Sequence, residues 1–179
     1  MNIFFDMEFT GLHQHTTPIS IGLISDDEQT FYAEFTDYDE SQINDWLWEN
    51  VMPHLFCESY MKSEQNVNGI FWGPKLYVVA RLREWLSKFG AIEMWSDCLA
   101  YDWVLFCELF GGGVGCLPEN IYYIPFDICT LFKIKDIDPD VDRIAYSGLT
   151  VSKHNALDDA RTIKACYEKV MGNISVVPV

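Results

Sequence analysis

The chain is predicted to be an α/β protein whose mixed sheet is flanked by helices. Three stretches with strand character come first in its 179 residues, and short strands then alternate with amphipathic helices. An antiparallel meander followed by alternating strands and helices is typical of a sheet that combines antiparallel and parallel pairs. The length suffices for one well-buried core and is short for two, so we expect a single domain over residues 1–179.

The N-terminal part is predicted to supply the antiparallel strands. These strands are residues 3–9, 19–24 and 31–35, and the turn-forming segment S-D-D-E-Q separates the last two. The stretch 41–55 has apolar side chains at helical spacing, which predicts a short helix that ends near Pro53. Residues 57–73 are polar and are predicted to be irregular.

The remainder of the chain is predicted to alternate between helices and strands. A helix that begins at Pro74 is well marked, because proline is favoured in the first turn and Gly90 is a stop signal. Its predicted apolar face consists of Leu76, Val79, Ala80, Arg83, Leu86 and Phe89. The other predicted elements are a strand at 92–95, a helix at 101–110, a strand at 121–128 that leads into a short helix, an irregular connection rich in proline and aspartate at 135–152, and a final helix at 155–171.

The net charge of −15 argues against a protein that holds nucleic acid by bulk electrostatic attraction, since non-specific phosphate binding depends on Lys and Arg. The charge is unevenly distributed along the chain. Residues 1–60 contain twelve acidic residues and no Lys or Arg, whereas residues 131–169 contain seven basic residues. The argument from charge against nucleic-acid binding is therefore weaker for the C-terminal part of the chain.

Two features of the sequence predict a cytoplasmic protein that does not enter membranes. The N-terminal stretch lacks the basic and apolar regions of a signal peptide, and no apolar run reaches the roughly eighteen residues of a membrane span. The cysteines form no C-x-x-C pair and mostly lie in apolar surroundings, which is typical of reduced, buried thiols rather than of disulfides or a zinc site. They are Cys57, Cys98, Cys107, Cys116, Cys129 and Cys166.

The segment Ile3–Leu12 carries two acids inside an apolar run that otherwise predicts a buried strand. Side chains alternate along a strand, so Asp6 and Glu8 point to one face and Met7 between them points to the other. Like charges this close repel each other, which raises the pKa of one acid unless a cation lies between them. The simplest explanation is a divalent metal ion with hard oxygen ligands.

Asp102 is a third acid in apolar surroundings, within L-A-Y-D-W-V-L-F. It lies where the predicted strand at 92–95 gives way to a helix, and the first turn of a helix favours a carboxylate through the helix dipole. A purely structural role is therefore the alternative to a functional one. The nearby Asp97 is expected to be a turn or cap residue.

The segment K-H-N-A-L-D-D-A-R supplies a histidine and a fourth acid. On one continuous helix, at about 100° per residue, His154 and Asp159 would be about 140° apart and could not share a site. We therefore expect the helix to begin near Asn155, with Asp159 facing the sheet and His154 on the loop before it. His154 would then reach over the same cleft, whereas Asp158 would face solvent. A capping or surface role is the alternative for this histidine.

Three segments of the chain resemble the three exonuclease motifs of the DEDDh superfamily, in both order and spacing. They are F-D-M-E-F-T-G-L, A-Y-D-W-V-L-F-C-E-L-F-G and H-N-A-L-D-D-A-R, and together they span residues 6–161. This superfamily is a ribonuclease H-like group that includes oligoribonuclease, ribonuclease T and proofreading exonucleases. The first and third segments are most similar to oligoribonuclease, whereas the middle segment and the size are more similar to small actinobacterial and phage-type exoribonucleases. The resemblance implies a mixed five-stranded sheet, with three antiparallel strands and then two parallel strands between helices.

Carried over to this sequence, the resemblance implies that four acids bind metal ions and that His154 is the general base. The acids are Asp6, Glu8, Asp102 and Asp159. Two Mg²⁺ or Mn²⁺ ions about 3.5 to 4 Å apart would share Asp6, one activating water and the other stabilising the leaving oxygen of an in-line displacement. Glu8 and Asp159 would complete the shell of the first ion, and Asp102 would act partly through water. His154, with an ordinary pKa of about 6.5, would accept the proton of the water, and a nucleoside 5'-monophosphate would leave.

The resemblance also implies which residues hold the terminal nucleotide. The apolar residue after the Thr-Gly of the first motif would wedge against the terminal base, and that residue is Leu12. Phe9 and Thr10 would line the same pocket, while packing on the core is the alternative for Leu12. Lys153 and Arg161 lie close to the histidine of the third motif and are our candidates for phosphate contacts, although lysines near a helix start are usually only solvated.

Several residues outside the motifs are predicted to be structural. His13 and His15 form an H-x-H pair that is compatible with a transition-metal site, but their loop is polar and no third nitrogen ligand or cysteine pair accompanies them, which argues against such a site. Asp127 is expected either to support the metal-binding acids from behind or to be a structural acid, and we do not place it in the site. The six tryptophans are expected in the core, with Trp72 as the exception because its segment is irregular.

The main hypothesis is a metal-dependent 3'-5' exoribonuclease that acts on single-stranded ends. RNA as substrate follows from the resemblance alone, since a 3'-5' exodeoxyribonuclease of the proofreading or repair type would carry the same motif residues. A non-catalytic nucleic-acid-binding module on the same fold is the other alternative. The four acids argue against it, because a binding domain has no need of unpaired acids in its core. A homodimer is expected, because many members of the superfamily are homodimers.

Overall fold

A computed structural model describes residues 1–56 and 69–172 of the chain. The strands in these residues are β1 (Asn2–Phe9), β2 (Pro18–Ser25), β3 (Thr30–Phe35), β4 (Ile70–Gly73), β5 (Glu93–Ser96) and β6 (Phe126–Asp127). The α-helices are α1 (Asp45–Asn50), α2 (Lys75–Leu86), α3 (Ala100–Phe110), α4 (Ile128–Ile134), α5 (Arg143–Ser147) and α6 (Ala156–Gly172). Short 3₁₀ helices lie at Glu40–Gln42, Met52–His54 and Val114–Cys116.

The strands form one mixed sheet in the order β4-β3-β2-β1-β5-β6. The predicted antiparallel meander is confirmed, because β1 pairs with β2 and β2 with β3 in antiparallel orientation. The two parallel strands expected on the other side are also present, since β5 pairs with β1 and β6 with β5 in parallel. The predicted mixed α/β sheet with flanking helices is therefore correct.

The prediction of five strands is wrong, because β4 adds a sixth strand parallel to β3. This strand lies at the end of the segment predicted to be irregular, and residues 57–68 of that segment lie outside the described residues. Only the four residues I-F-W-G, between Gly69 and Pro74, mark the strand. A stretch this short gives no periodic signal that distinguishes a strand from a loop.

Two other predicted elements are shorter or interrupted. Of the strand expected at 121–128, only Phe126–Asp127 pairs as a strand, beside an isolated bridge between Ile92 and Ile121. Pro125 has no N–H group and cannot contribute to a continuous ladder. The helix expected at 41–55 is α1 with a 3₁₀ helix on each side, because the Asn44 side chain caps a new helix by accepting the N–H of Leu47.

Helix α2 forms where it was predicted, but its buried face was predicted wrongly. Leu76 was expected in the core and is 86% exposed. The buried residues of the helix are Val78, Leu82, Trp85 and Leu86. The sequence L-Y-V-V near the start of the helix places apolar residues on two neighbouring faces. The helical periodicity therefore fits a buried face that includes Leu76 and Val79 as well as one that includes Val78.

Helices cover both faces of the sheet. Helices α2 and α3 pack on one face, in a core that includes Phe5 and Met7 of β1. Helices α4 and α6 pack on the other face, in a core that includes Phe4 of β1. The alternation predicted along β1 is therefore confirmed, and it places Asp6 and Glu8 on the face that α6 covers.

The C-terminal part follows the prediction except for one missed helix. Helix α6 begins one residue after the expected start, and its predicted inner residues Ala160 and Ile163 are buried. The connection at 135–152 was expected to be irregular, but it contains α5. Among the helices of residues 1–56 and 69–172, none combines the length and the apolar composition that a membrane crossing requires.

Candidate active site

The close approach of α6 to the sheet depends on Gly22 of β2. This residue pairs with Asp6 across β1 and β2. A Cβ atom at position 22 would lie 2.3 Å from backbone atoms of Ala156 and Leu157, so any side chain would push the start of α6 away. Glycine therefore allows the first turns of α6, which carry Asp159, to sit against the strand that carries Asp6.

Three carboxylates meet at this contact. Asp6 and Glu8 of β1 and Asp159 of α6 have oxygen atoms that all lie within 4.8 Å of one another. Asp102, in the first turn of α3, is only 6% exposed, and its Oδ1 accepts the backbone N–H of Met7 at 2.9 Å. All four acids line one cavity of about 930 Å³.

Burial is the largest cause of a raised pKa at each of these acids. The pKa of Asp6 lies well above its usual value, because the charges of Asp102, Glu8 and Asp159 add to the effect of burial. Burial and the neighbouring carboxylates raise the pKa of Glu8 to about 8. Burial raises the pKa of Asp102 to about 7 and that of Asp159 to about 7, although backbone hydrogen bonds oppose the shift at both.

The donor set suits a hard divalent cation. Within the described part of the chain, no lysine or arginine forms an ion pair with any of the four acids. Converging carboxylate oxygens are the ligands that Mg²⁺ and Mn²⁺ prefer. Asp6, Glu8 and Asp159 could hold such an ion directly, with Asp102 beside them. The role of the four acids as metal ligands stays a prediction.

His154 lies on the loop that enters α6 and lines the same cavity. The expected position off the helix is confirmed, and the residue has a left-handed backbone with φ of 61°. Burial, together with the nearby His54 and Lys153, lowers the pKa of its imidazole. A lowered pKa leaves the ring neutral near pH 7 and able to accept a proton. Its role as general base stays a prediction.

Three of the predicted substrate contacts line the cavity with the acids. They are Phe9, Leu12 and Lys153. Leu12 is 75% exposed, so the alternative of packing on the core does not hold. The ring of Phe9 stacks on that of Tyr101, with centroids 5.7 Å apart and an interplanar angle of 27°. This stack supports the end of β1, three residues before Leu12.

The other two predicted contacts, Thr10 and Arg161, are not among the described residues that line the cavity. Thr10 is 1% exposed, and its hydroxyl accepts the N–H of Thr17 at 2.9 Å, which holds the loop after β1. Arg161 donates from Nη1 to Oδ1 of Asp158 at 2.8 Å. Asp158 was expected to face solvent, but its side chain is only 16% exposed because it pairs with this arginine.

Sequence reasoning missed the pair formed by Asp97 and Arg143, both of which line the cavity. Asp97 was expected to be a turn or cap residue. Its carboxylate forms an ion pair with Arg143, with Oδ2 2.8 Å from Nε, and its Oδ1 accepts a hydrogen bond from Nη2 at 2.9 Å. A signal for Asp97 was present, because it directly follows β5, and parallel strands such as β1 and β5 end at the same edge of the sheet. Arg143 lies in the connection at 135–152, and nothing in its local sequence indicated that it belongs to the site.

The expectation that the tryptophans are in the core is wrong for two of them. Trp46 is 53% exposed and Trp48 is 65% exposed. Trp46 lines the cavity. Its ring makes a T-shaped contact with the imidazole ring of His154, with centroids 5.1 Å apart. The signal was available in the order W-L-W, because Leu47 occupies the buried side of α1 and its direct neighbours must point away. Trp72, the expected exception, is 49% exposed.

Of the two roles considered for Asp127, the structure shows the structural one. It is the N-cap of α4, and its Oδ1 accepts the N–H of Cys129 at 2.8 Å. A side chain that caps a helix in this way satisfies one of the free N–H groups of the first turn.

Residues 1–171 match the family described as the 3'-5' exoribonuclease Rv2179c-like domain, and the chain belongs to this family. The protein is therefore a 3'-5' exoribonuclease, as the sequence predicted. Two relatives from Mycobacterium tuberculosis are similar to it. They are 3'-5' exoribonuclease Rv2179c of strain ATCC 25618 / H37Rv and 3'-5' exoribonuclease MT2234.1 of strain CDC 1551 / Oshkosh. Each is 29% identical over 123 residues, which are 68% of this chain and 67% of the relative.

We expect the substitution Gly22→Ala to reduce both stability and activity. The new methyl group would overlap the backbone at Ala156 and Leu157, and overpacking of this kind costs about 1–3 kcal/mol of unfolding free energy. The displaced helix would also carry Asp159 away from Asp6, so RNA hydrolysis should fall more than stability alone explains. Thermal denaturation and RNA hydrolysis below the transition measure the two effects. Gly90→Ala is the control, since a Cβ atom there meets no atom of the described residues within 4 Å. A fully stable, active Gly22→Ala enzyme would refute the argument.

Proposed function

We propose that the protein is a metal-dependent exonuclease that releases nucleoside 5'-monophosphates from the 3' ends of single-stranded RNA. The observation that carries the proposal is the convergence of the Asp6, Glu8 and Asp159 oxygens within 4.8 Å, at a cavity of about 930 Å³. The family supports RNA as substrate and the 3'-to-5' direction. The cavity is large enough for a nucleotide, because small-molecule sites range from about 300 to 1,000 Å³.

The proposal includes membership of the DEDDh superfamily and a ribonuclease H-like fold. Its support is the arrangement of the three motifs, whose four acids and His154 line one cavity. The order of three antiparallel strands followed by β5 and β6 in parallel is in agreement with it. The sixth strand, β4, lies at the far edge of the sheet and leaves β1 and β5 as neighbours.

Two Mg²⁺ or Mn²⁺ ions are the proposed cofactors. Asp6, Glu8 and Asp159 would hold them, with Asp102 contributing from the first turn of α3. Such ions supply Lewis acidity and offset the negative charge that develops at the phosphate. The raised pKa values of the four acids support this assignment, because a cation that replaces their protons would relieve their repulsion.

His154 is the proposed general base. Its lowered pKa provides a neutral imidazole near pH 7, which would take the proton of the attacking water as the phosphodiester bond breaks. The T-shaped contact with Trp46 restricts the orientation of the ring. The left-handed backbone at position 154 directs the side chain to the cavity rather than along α6.

The remaining lining residues provide apolar and cationic contacts for the substrate. Leu12 and Phe9 would contact the terminal base, with Leu12 as the wedge. Lys153 and Arg143 line the cavity and are the proposed contacts for phosphate oxygens. Arg143 replaces Arg161 in this role, because Arg143 lines the cavity and Arg161 is not among the described residues that do. The expected homodimer stays a prediction, which sedimentation equilibrium would test.

The decisive experiment compares 5'-labelled single strands of RNA and DNA with identical sequence, in Mg²⁺ or Mn²⁺. We expect stepwise shortening from the 3' end, release of 5'-mononucleotides and faster hydrolysis of RNA. Faster release from DNA would indicate an exodeoxyribonuclease, and cuts in a circular strand would indicate an endonuclease. The absence of metal-dependent release from any strand, with binding retained, would leave the non-catalytic module as the better hypothesis.

A further inference from the structure

Two thiols lie in contact beside the candidate active site. The Sγ atoms of Cys98 and Cys129 are 3.6 Å apart. Cys98 follows β5 and is exposed, whereas Cys129, in the first turn of α4, is half-buried. Both are free thiols. The prediction of buried cysteines therefore does not hold for Cys98, and the pair is accessible from solvent through it.

Cys129 is connected to the cavity through the Asp97–Arg143 pair. Its thiol donates to Oδ1 of Asp97 at 2.9 Å. The Nη2 group of Arg143 donates to the sulfur of Cys129 at 2.9 Å and to Asp97 at the same distance. The sulfur of Cys129 is thus one of the groups that fix the position of Arg143 at the cavity.

We propose that Cys98 and Cys129 are a redox modification site, at which a reversible disulfide weakens substrate binding by the exonuclease. The effect on binding rests on the proposed function, whereas the disulfide itself does not. The oxidant is a low-molecular-weight disulfide such as glutathione disulfide.

The reaction consists of two thiol–disulfide exchanges. The thiolate of Cys98 attacks one sulfur of the oxidant, forming a mixed disulfide and expelling one thiolate, which takes up a proton. The sulfur of Cys129 then attacks the Cys98 sulfur, closes the Cys98–Cys129 bond and expels the second small thiol. Two protein thiols are oxidised, the small disulfide is reduced to two thiols, and both protein protons end on those products.

Accessibility and distance assign the order of these steps. Cys98 is exposed and can meet the oxidant, and the resolving sulfur of Cys129 is already in contact with it. Closure to a bond length of about 2.05 Å requires the sulfurs to approach each other by roughly 1.5 Å. Burial raises the pKa of both thiols, so the first exchange is slow at neutral pH and faster in mild alkali.

A metal ion is a poorer occupant of the same cluster. Ligand atoms of Asp97, Cys98 and Cys129 lie within 4.8 Å of one another. However, the guanidinium of Arg143 already pairs with Asp97 and contacts the sulfur of Cys129. The guanidinium would repel a cation bound to these ligands, whereas forming a disulfide from two neutral thiols adds no charge beside it.

The disulfide would change the position of Arg143. Once bonded to Cys98, Cys129 has no S–H to donate to Asp97, and its sulfur must swing away from the guanidinium. Arg143 is a proposed phosphate contact, so its displacement should affect binding more than the chemical step. We expect a several-fold to tenfold increase in KM for RNA, with kcat changed by less than about twofold.

The test uses the full-length enzyme, oxidised with glutathione disulfide at mildly alkaline pH. Mass spectrometry should show the loss of two hydrogens and a peptide pair linked through Cys98 and Cys129. KM should rise as stated and return to its original value with dithiothreitol. Cys98→Ser should retain its KM during oxidation, and Cys116→Ser, which removes another exposed thiol, should respond like the wild type.

Two results would overturn the proposal. The first is the absence of a linked peptide while Cys98 carries bound glutathione, since the second exchange would then not occur. The second is a linked enzyme whose KM is unchanged. If the linked peptide forms in a protein without nuclease activity towards any strand, the proposed function fails and the disulfide assignment stands, so the two failures are distinguishable.

Discussion

Replacing Asp6 by asparagine is expected to lower the rate of metal-dependent mononucleotide release by on the order of 10³-fold, or about 4 kcal/mol of activation free energy. Asp6 lies between the other carboxylates, and its oxygens are within 4.8 Å of those of Glu8 and Asp159. The amide retains the size of the side chain but removes the charge that would bind a cation. Single-turnover hydrolysis of labelled RNA measures the loss.

A matched control separates this effect from a general loss of charge. Asp136→Asn makes the same substitution at an exposed turn residue with φ of 58°, where asparagine is well tolerated. Its activity should equal that of the wild type. An Asp6→Asn enzyme with activity within tenfold of wild type would remove Asp6 from the reaction and with it the proposed metal site.

The buried acids should make the thermal stability of the enzyme depend on pH, and Asp6→Asn should weaken this dependence. The folded-state pKa of Glu8 is about 8, and those of Asp102 and Asp159 are about 7, all above the ordinary values of 3.8 to 4.5. Groups with raised pKa values stabilise the fold fully below about pH 4 and lose this contribution as the pH rises through about 7 to 8. The melting temperature of the metal-free enzyme should therefore fall between about pH 6 and 8.5.

Divalent metal should reverse this fall, because the ion replaces the protons that the acids lose. The increase in melting temperature with Mn²⁺ should be larger at about pH 8.5 than at about pH 6. Asp6→Asn should show a smaller fall with pH and a weaker response to metal. A metal-free wild type whose melting temperature does not change over this range, and does not respond to Mn²⁺, would contradict the electrostatic account of the site.

His154→Ala is expected to reduce turnover by about 10² to 10⁴-fold, the usual range for loss of a general base. Unlike Asp6→Asn, it should keep the stabilisation by Mn²⁺, because no metal ligand is removed. The acidic limb of the wild-type pH profile should lie below about pH 6.5, since the pKa of His154 is lowered, and this limb should be absent from the variant. Added imidazole should restore part of the rate.

His15→Ala is the control for this substitution, because His15 is exposed and does not line the cavity with the acids. Its turnover and pH profile should match the wild type. If His154→Ala retained the wild-type acidic limb, the group that accepts the proton would be another residue, and the proposal for His154 would be wrong.

The parts of the fold that were predicted correctly depend on short-range patterns. The alternation along β1 placed Asp6 and Glu8 on one face, and the angular spacing on a helix placed His154 before α6. These inferences need only the geometry of one strand or one helix. The local sequence therefore sufficed to place Asp6 and Glu8 on a common face and His154 on the loop before α6.

The parts that were missed depend on contacts between distant segments. The choice between two apolar stripes on α2 is made by what the sheet presents to it, and the role of Asp97 is set by Arg143, which is 46 positions away. Gly22 lies in an ordinary strand sequence, and its importance appears only when α6 packs over it. These three contacts join segments that are distant in the chain, so the sequence around any one of the residues does not predict them.

The hydrogen bond between the Asp102 carboxylate and the backbone N–H of Met7 explains why the sheet is open at the cavity. Strand β5 pairs with β1 only as far as Phe4, so beyond that point no strand of residues 1–56 and 69–172 lies beside this edge of β1. The N–H of Met7 would be left unpaired there, and the carboxylate of Asp102 accepts it instead. Asp102 thus substitutes for a missing length of β5. The sheet is open where the acids lie because a side chain, rather than a strand, completes its hydrogen bonding.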